Sequence, residues 1–157
     1  MAAPPFVDLG QLDPARLQVT REQIYQHLPQ RFEFMQLDGI LTINLETNVA
    51  VGLRLVREDE FWVRGHIPGR PLLPGVLMLE SAAQMAAYMS HVFQPDNRFL
   101  GFGGLDNVKF RGTVTPPATM FITLKLVEAR TRRTVCDSQG WVDNRLVFEG
   151  RFTGMPV

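Results

Sequence analysis

The stretch Gly65-His66-Ile67-Pro68-Gly69-Arg70-Pro71-Leu72-Leu73-Pro74-Gly75-Val76, running on as Leu77-Met78-Leu79-Glu80-Ser81-Ala82-Ala83-Gln84, decides the reading of this 157-residue chain. Pro68, Pro71 and Pro74 recur at every third position. Each proline fixes its own φ and pushes the residue before it (Ile67, Arg70 or Leu73) towards extended backbone. A loop so constrained loses little conformational entropy when it orders, which suits it to holding one side chain in place. After Pro74-Gly75 the sequence is apolar from Val76 to Ala87, broken by Glu80, Ser81 and Gln84. That pattern predicts a helix from about Gly75 to Phe93, ending before Pro95.

Two features of the helix carry chemistry. Its first N–H groups, at Gly75 and Val76, have no intrahelical partner and sit at the positive end of the helix dipole, where a developing negative oxygen is stabilised. Glu80, about five residues further in, is a carboxyl group on an otherwise apolar helix and a candidate proton donor. Each feature alone has a plainer reading. A lone histidine beside prolines is more often structural, a helical Glu is usually solvated, and Pro-x-x-Pro spacing also suits a polyproline II ligand. Glycine bracketing and apolar flanks do not suit an exposed peptide ligand, so the combination favours a site.

The run His66-Ile67-Pro68-Gly69-x-Pro71-x-x-Pro74-Gly75-Val76-Leu77-x-x-Glu80-x-x-Ala83-Gln84 resembles the active-site signature of the β-hydroxyacyl-ACP dehydratases of the FabZ type. Leu28-Pro29-Gln30-Arg31-Phe32-Glu33-Phe34 is similar to that family's N-terminal segment, and Asp106-Asn107-Val108-Lys109-Phe110-Arg111 to a later strand. The resemblance spans roughly residues 21–155. It implies an α+β hotdog fold, an antiparallel β-sheet wrapped around one long central helix. It further implies a homodimer whose sites lie between chains, or a trimer of such dimers.

By the same resemblance, the reaction is loss of water from a (3R)-3-hydroxyacyl thioester on acyl carrier protein, giving the trans-2-enoyl thioester in fatty-acid or related lipid synthesis. His66 takes the C2 proton and Glu80 protonates or orients the departing C3 hydroxyl. Gly75 and Val76 N–H groups polarise the thioester carbonyl. Gln84, one turn after Glu80, is placed to orient its carboxyl group. Met78, Met85 and Phe102 are candidates for lining an acyl tunnel, although core packing is the plainer role for the methionines. Arg64, Arg70, Arg98 and Arg111, near the loop and the following strand, are candidates for docking the acidic carrier. A hotdog thioesterase, a polyketide-type dehydratase and a non-catalytic carrier-binding hotdog protein are the alternatives.

The chain departs from the family pattern in places. Arg70 stands where the family has a histidine and Ile67 where it has a phenylalanine. Thr115-Pro116-Pro117-Ala118-Thr119 replaces a proline-glycine-aspartate turn, and Phe102 is the residue nearest an expected gating tyrosine.

Composition sets the outer bounds. Apolar residues make up 45% and charged residues 20%, with sixteen basic and sixteen acidic side chains, as in an ordinary soluble globular domain. The zero net charge argues against nucleic-acid or membrane-surface binding. Cys136 is the single cysteine, consistent with a reducing compartment, and the cytoplasm is the expected location. Neither a metal-ligating cluster nor a nucleotide-binding loop is visible, so no cofactor is expected.

Outward from the motif, residues 1–19 are expected to form a loosely ordered arm that packs on a neighbour, with 20–157 as a single hotdog domain. Thr20-Arg21-Glu22-Gln23 has the capping-box pattern for a short helix through about His27. His27 and His91 each suit the C-terminal end of a helix. Period-two alternation from Ile40 and from Val49 predicts a hairpin turning at Glu46-Thr47-Asn48. Glu58-Asp59-Glu60 reads as a solvated turn and Phe61-Trp62-Val63 as a short strand. A long strand from Phe99 to Arg111 with glycine-permitted bulges, a strand through Met120–Leu126, and another starting at Val135 follow. Asp143-Asn144 reads as a tight hairpin turn, since both residues tolerate positive φ.

Overall fold

The computed structural model describes residues 1–95 and 98–157. In chain order its elements are β1 (Val19–Thr20), α1 (Arg21–His27), β2 (Gly39–Asn44), β3 (Val49–Val56), α2 (Gly75–Phe93), β4 (Leu100–Phe110), β5 (Ala118–Arg130), β6 (Arg133–Val142) and β7 (Arg145–Pro156), with 3-10 turns at Leu9–Gln11 and Phe32–Phe34. The strands make one seven-stranded sheet in the order β1-β2-β3-β5-β6-β7-β4, every neighbouring pair antiparallel. The long helix α2 lies against one face of this sheet, and that is the hotdog arrangement.

Helix α2 starts because Pro74 is set for it: its φ is −58°, and its carbonyl accepts the N–H groups of Leu77 (3.0 Å) and Met78 (3.3 Å). The helix closes at Phe93, with Gln94 N–H on the Ser90 carbonyl, one residue before Pro95. Met78, Ala82, Met85 and Met89 are buried against Met120, Ile122, Leu124 and Phe148. Small side chains let helix and sheet approach. A Cβ at Gly52 would lie 3.0 Å from the Met85 sulfur, so that side chain would have to give way to anything larger than glycine.

The other face of the sheet is partly covered by the N-terminal arm. Gln139 Nε2 donates to the Pro4 carbonyl at 2.8 Å, and Ala3 N–H reaches the Glu149 carboxylate at 3.4 Å. Gln18 and Val19 then pair with β2. The arm therefore lies on its own chain's sheet.

Local signals set the remaining boundaries. Thr20 Oγ1 accepts from Gln23 N–H and Gln23 Oε1 accepts from Thr20 N–H, a complete capping box. Asp143 and Asn144 have φ of 49° and 58°, the left-handed pair that joins β6 to β7. Strand β4 is bulged at Phe102–Gly104 and again at Asp106–Lys109. Strand β6 begins at Arg133, two residues before the expected Val135, as Arg133 pairs with Arg130 in the ladder and its guanidinium binds Glu128. His27 and His91 both sit in last turns, and their rings lie 4.1 Å apart.

One expected element is absent. Phe61-Trp62-Val63 forms turns and not a strand. The backbone folds back on itself there, Val63 N–H to Glu60 O and both Gly65 and His66 N–H to Trp62 O. Nor is Glu60 part of a solvated turn, since its side chain is only 14% exposed.

Candidate active site

The loop that carries His66 is braced at both ends. Upstream, Glu60 accepts from Arg54 Nη1 (2.9 Å) and Nη2 (2.6 Å), from Arg57 N–H (2.8 Å) and from Trp62 Nε1 (2.8 Å). The Arg54 side chain is 3% exposed. Burial pushes the Glu60 carboxyl up, but the bonds from Arg54, the Arg57 N–H and Trp62 outweigh it and hold the group below the usual carboxylate range. Trp62, fixed in this way, offers the carbonyl on which His66 N–H closes at 2.9 Å. Downstream, Leu73 N–H donates to the Val114 carbonyl at 2.8 Å, tying the end of the loop to the segment before β5.

Between these braces, His66 Nδ1 lies 2.8 Å from the Leu72 carbonyl. A carbonyl can only accept, so the neutral imidazole carries its proton on Nδ1 and keeps a free lone pair on Nε2. The ring is exposed, as are Arg64, Ile67 and Arg70 around it. The loop thus selects the tautomer of the ring.

Glu80 lies one helical turn before Gln84, whose Nε2 donates to Glu80 Oε1 at 2.7 Å. Gln84 is 1% exposed and also donates to the Phe34 carbonyl at 2.7 Å. Its Oε1 accepts from the Tyr25 hydroxyl at 2.6 Å and from Gln36 N–H at 3.3 Å. The amide thus uses both donors and both lone pairs, which leaves it one orientation. Nothing in the sequence pattern pointed to Tyr25, which comes from a helix 59 residues away.

Glu80 and Gln84 border an open cavity of about 220 Å³, whose lining includes Ala83, Ala86, Phe99, Phe102 and Phe152. Phe102 is therefore at the cavity, whereas Met78 and Met85 are buried in the core and do not line it. His66 does not line it either. At the start of α2 the N–H groups of Gly75 and Val76 precede the first intrahelical bond, and Val76 is 70% exposed. A Cβ on Gly75 would come within 2.7 Å of the Phe110 ring and would push that ring aside where α2 begins beside β4.

The four arginines named for carrier docking are placed differently. Arg64 and Arg70 are exposed on the His66 loop. Arg98 borders a second surface cavity with His27, Arg31 and His91. Arg111 is engaged by Glu149 through both Nε and Nη2, a pair that links the end of β4 to β7.

A hotdog sheet that carries a proline-braced histidine and an oriented helix carboxyl defines a hotdog-fold protein. Residues 28–151 match a family model described as a FabA-like domain. A 3-hydroxyacyl-[acyl-carrier-protein] dehydratase FabZ of Herpetosiphon aurantiacus is 37% identical over 134 residues, covering 84% of this chain and 94% of that one. The FabZ of Desulfotalea psychrophila is 34% identical over 125 residues, covering 78% and 83%. The chain belongs to the FabA-like family, among its FabZ-type members. Among solved structures, the dehydratase heterocomplex ApeI:P of Xenorhabdus doucetiae superposes with a TM-score of 0.73 at 14% identity, over 85% of this chain and 90% of that one. At that identity the likeness shows the fold alone.

Proposed function

We propose that the chain is a 3-hydroxyacyl-[acyl-carrier-protein] dehydratase, a hydro-lyase of fatty-acid biosynthesis. The observation that carries the mechanism is the orientation of both motif side chains, His66 by the Leu72 carbonyl and Glu80 by Gln84. His66 Nε2 removes a proton from C2 of the hydroxyacyl thioester. Negative charge moves onto the thioester oxygen, where the Gly75 and Val76 N–H groups stabilise it; one such donor is typically worth about 3 kcal/mol. The charge returns to form the C2–C3 double bond as the C3–O bond breaks, and Glu80 gives its proton to the departing oxygen. Water leaves, and the proton on His66 restores the Glu80 acid. Gln84 keeps Glu80 aimed throughout.

The reading includes a homodimer with shared sites. Glu80 borders the cavity and His66 does not, so a partner's His66 would complete each site. Strand β4 is an edge of the sheet with Phe102, Leu105 and Phe110 exposed, a surface suited to a second copy. Assembly of such dimers into a trimer of dimers belongs to the same reading. Carrier-linked substrate and a buried free thiol at Cys136 fit activity in the cytoplasm. Among the described residues, no helix is long and apolar enough to cross a membrane.

The test is to mix the protein with a crotonyl thioester and follow both enoyl absorbance and free thiol. Loss of the enoyl band without thiol release is the expected result. Thiol release would identify a thioesterase instead, and no change in either would leave a carrier-binding protein without catalysis.

A further inference from the structure

We infer that Tyr25 is a positioning residue for this reaction, acting through the Gln84 amide on the Glu80 carboxyl group. The inference rests on the role of Glu80 proposed above. Its basis is a chain of bonds whose direction is fixed by backbone groups. Leu37 N–H donates to the Tyr25 oxygen at 2.8 Å, so the tyrosine proton is free to point only onward, to Gln84 Oε1 at 2.6 Å. Gln36 N–H converges on the same Oε1, and the Phe34 carbonyl takes one Nε2 proton at 2.7 Å. A reversed amide would set its NH₂ against the Gln36 N–H and its oxygen against the Phe34 carbonyl, inside a buried site.

The remaining Nε2 proton therefore faces Glu80 Oε1 at 2.7 Å. Among the described residues no bond within the chain engages Oε2, which leaves that oxygen to carry the proton for the substrate. Tyr25 is 4% exposed, and burial pushes its hydroxyl up to about 12 against the lowering pull of the Leu37 N–H and Arg21. It stays a donor at any pH at which the enzyme works. Without the hydroxyl, Gln84 Oε1 keeps only the longer bond from Gln36, so the amide is held less tightly in the orientation that serves Glu80.

The experiment is steady-state hydration of a crotonyl thioester by wild type, Tyr25→Phe, Gln84→Met, the double variant and Glu80→Gln, with rates referred to folded protein. Loss of one orienting bond is expected to lower kcat about tenfold in Tyr25→Phe, with KM within about twofold. In the Gln84→Met background the same change should cost less than about twofold, because the tyrosine has no amide left to hold. Unaltered kcat in folded Tyr25→Phe, or an undiminished loss in the Gln84→Met background, overturns the inference. Glu80→Gln separates the two claims: if it stays active, the role of Glu80 itself fails, whatever Tyr25→Phe does.

Should Tyr25→Phe not fold at the assay temperature, a gentler change replaces it. Tyr88→Phe leaves Tyr25 the sole tyrosine, and 3-fluorotyrosine then keeps that hydroxyl while making it more acidic. Fluorination is expected to change kcat at least about twofold without moving KM, and an unchanged kcat overturns the inference.

Discussion

His66 Nδ1 and the Leu72 carbonyl oxygen lie 2.8 Å apart, and this contact fixes which nitrogen of the ring can act. Leu72 is held by its place between Pro71 and Leu73, and Leu73 is bonded to Val114. Six residues upstream of His66, Glu60 holds Trp62, which holds the His66 N–H. The histidine is thus positioned from two directions, through Trp62 and through Leu72. Stiffness encoded by three prolines thus reaches the ring as the choice of a tautomer.

The upstream brace is open to a pH-resolved test. Glu60→Gln leaves Arg54 buried without its counter-charge, and breaking a buried pair typically costs about 3 kcal/mol or more. The Glu60 pKa is depressed on folding, so its stabilisation is present above the unfolded value near 4.5 and is lost as pH falls through the lower folded value. Thermal melts are expected to show a large gap between wild type and variant at pH 7 that narrows steadily below about pH 4.5. A gap independent of pH would show that the carboxylate charge is not what holds the loop.

Shared sites predict complementation. In a shared-site homodimer, His66→Ala and Glu80→Gln are each expected to be inactive alone, whereas a mixed dimer would have one site with both lesions and one with neither. Random reassembly of equal amounts should restore about a quarter of wild-type activity. If His66 and Glu80 of one chain served the same site, every site would carry a lesion. Background activity, with mixed dimers confirmed by mass, would then be the result.

The proposed carrier docking separates Arg64 and Arg70 from Arg111. Arg64→Glu and Arg70→Glu are expected to raise KM for a carrier-linked substrate several-fold at low salt, to leave a pantetheine thioester unaffected, and to lose the effect as salt rises. Arg111→Glu should instead lower the melting temperature, because its guanidinium is engaged by Glu149. Equal losses on both substrates for Arg64→Glu and Arg70→Glu would remove them from docking.

Much of this arrangement was legible in the sequence because its signals are local. Pro74-Gly75 and Pro95 bounded α2 to the residue, Thr20 and Gln23 marked the start of α1, and Asp143-Asn144 marked the last hairpin. The motif itself placed His66 and Glu80 in one reading. What was hidden depends on partners that alternation does not reveal. Arg54 occupies a strand position that period two allows to be polar, yet it is buried because Glu60 and Gln36 meet it there. Glu60 looks solvated beside Glu58 and Asp59 until the turn at Phe61–Val63 brings Trp62 back onto it. Tyr25 lies inside a short helix with no motif around it, and only the fold shows that its hydroxyl ends on Gln84.

The pairing of His66 with Glu80 is measured most directly by kcat/KM on a carrier-linked 3-hydroxyacyl thioester for wild type, His66→Ala, Glu80→Gln and the double variant. Each single change is predicted to lower the value by roughly 10²- to 10⁴-fold, with the circular dichroism spectrum unchanged. The double variant should be no more than a few-fold worse than the poorer single one, since the two groups work as a unit. A folded single variant within about tenfold of wild type would contradict the assignment of that residue.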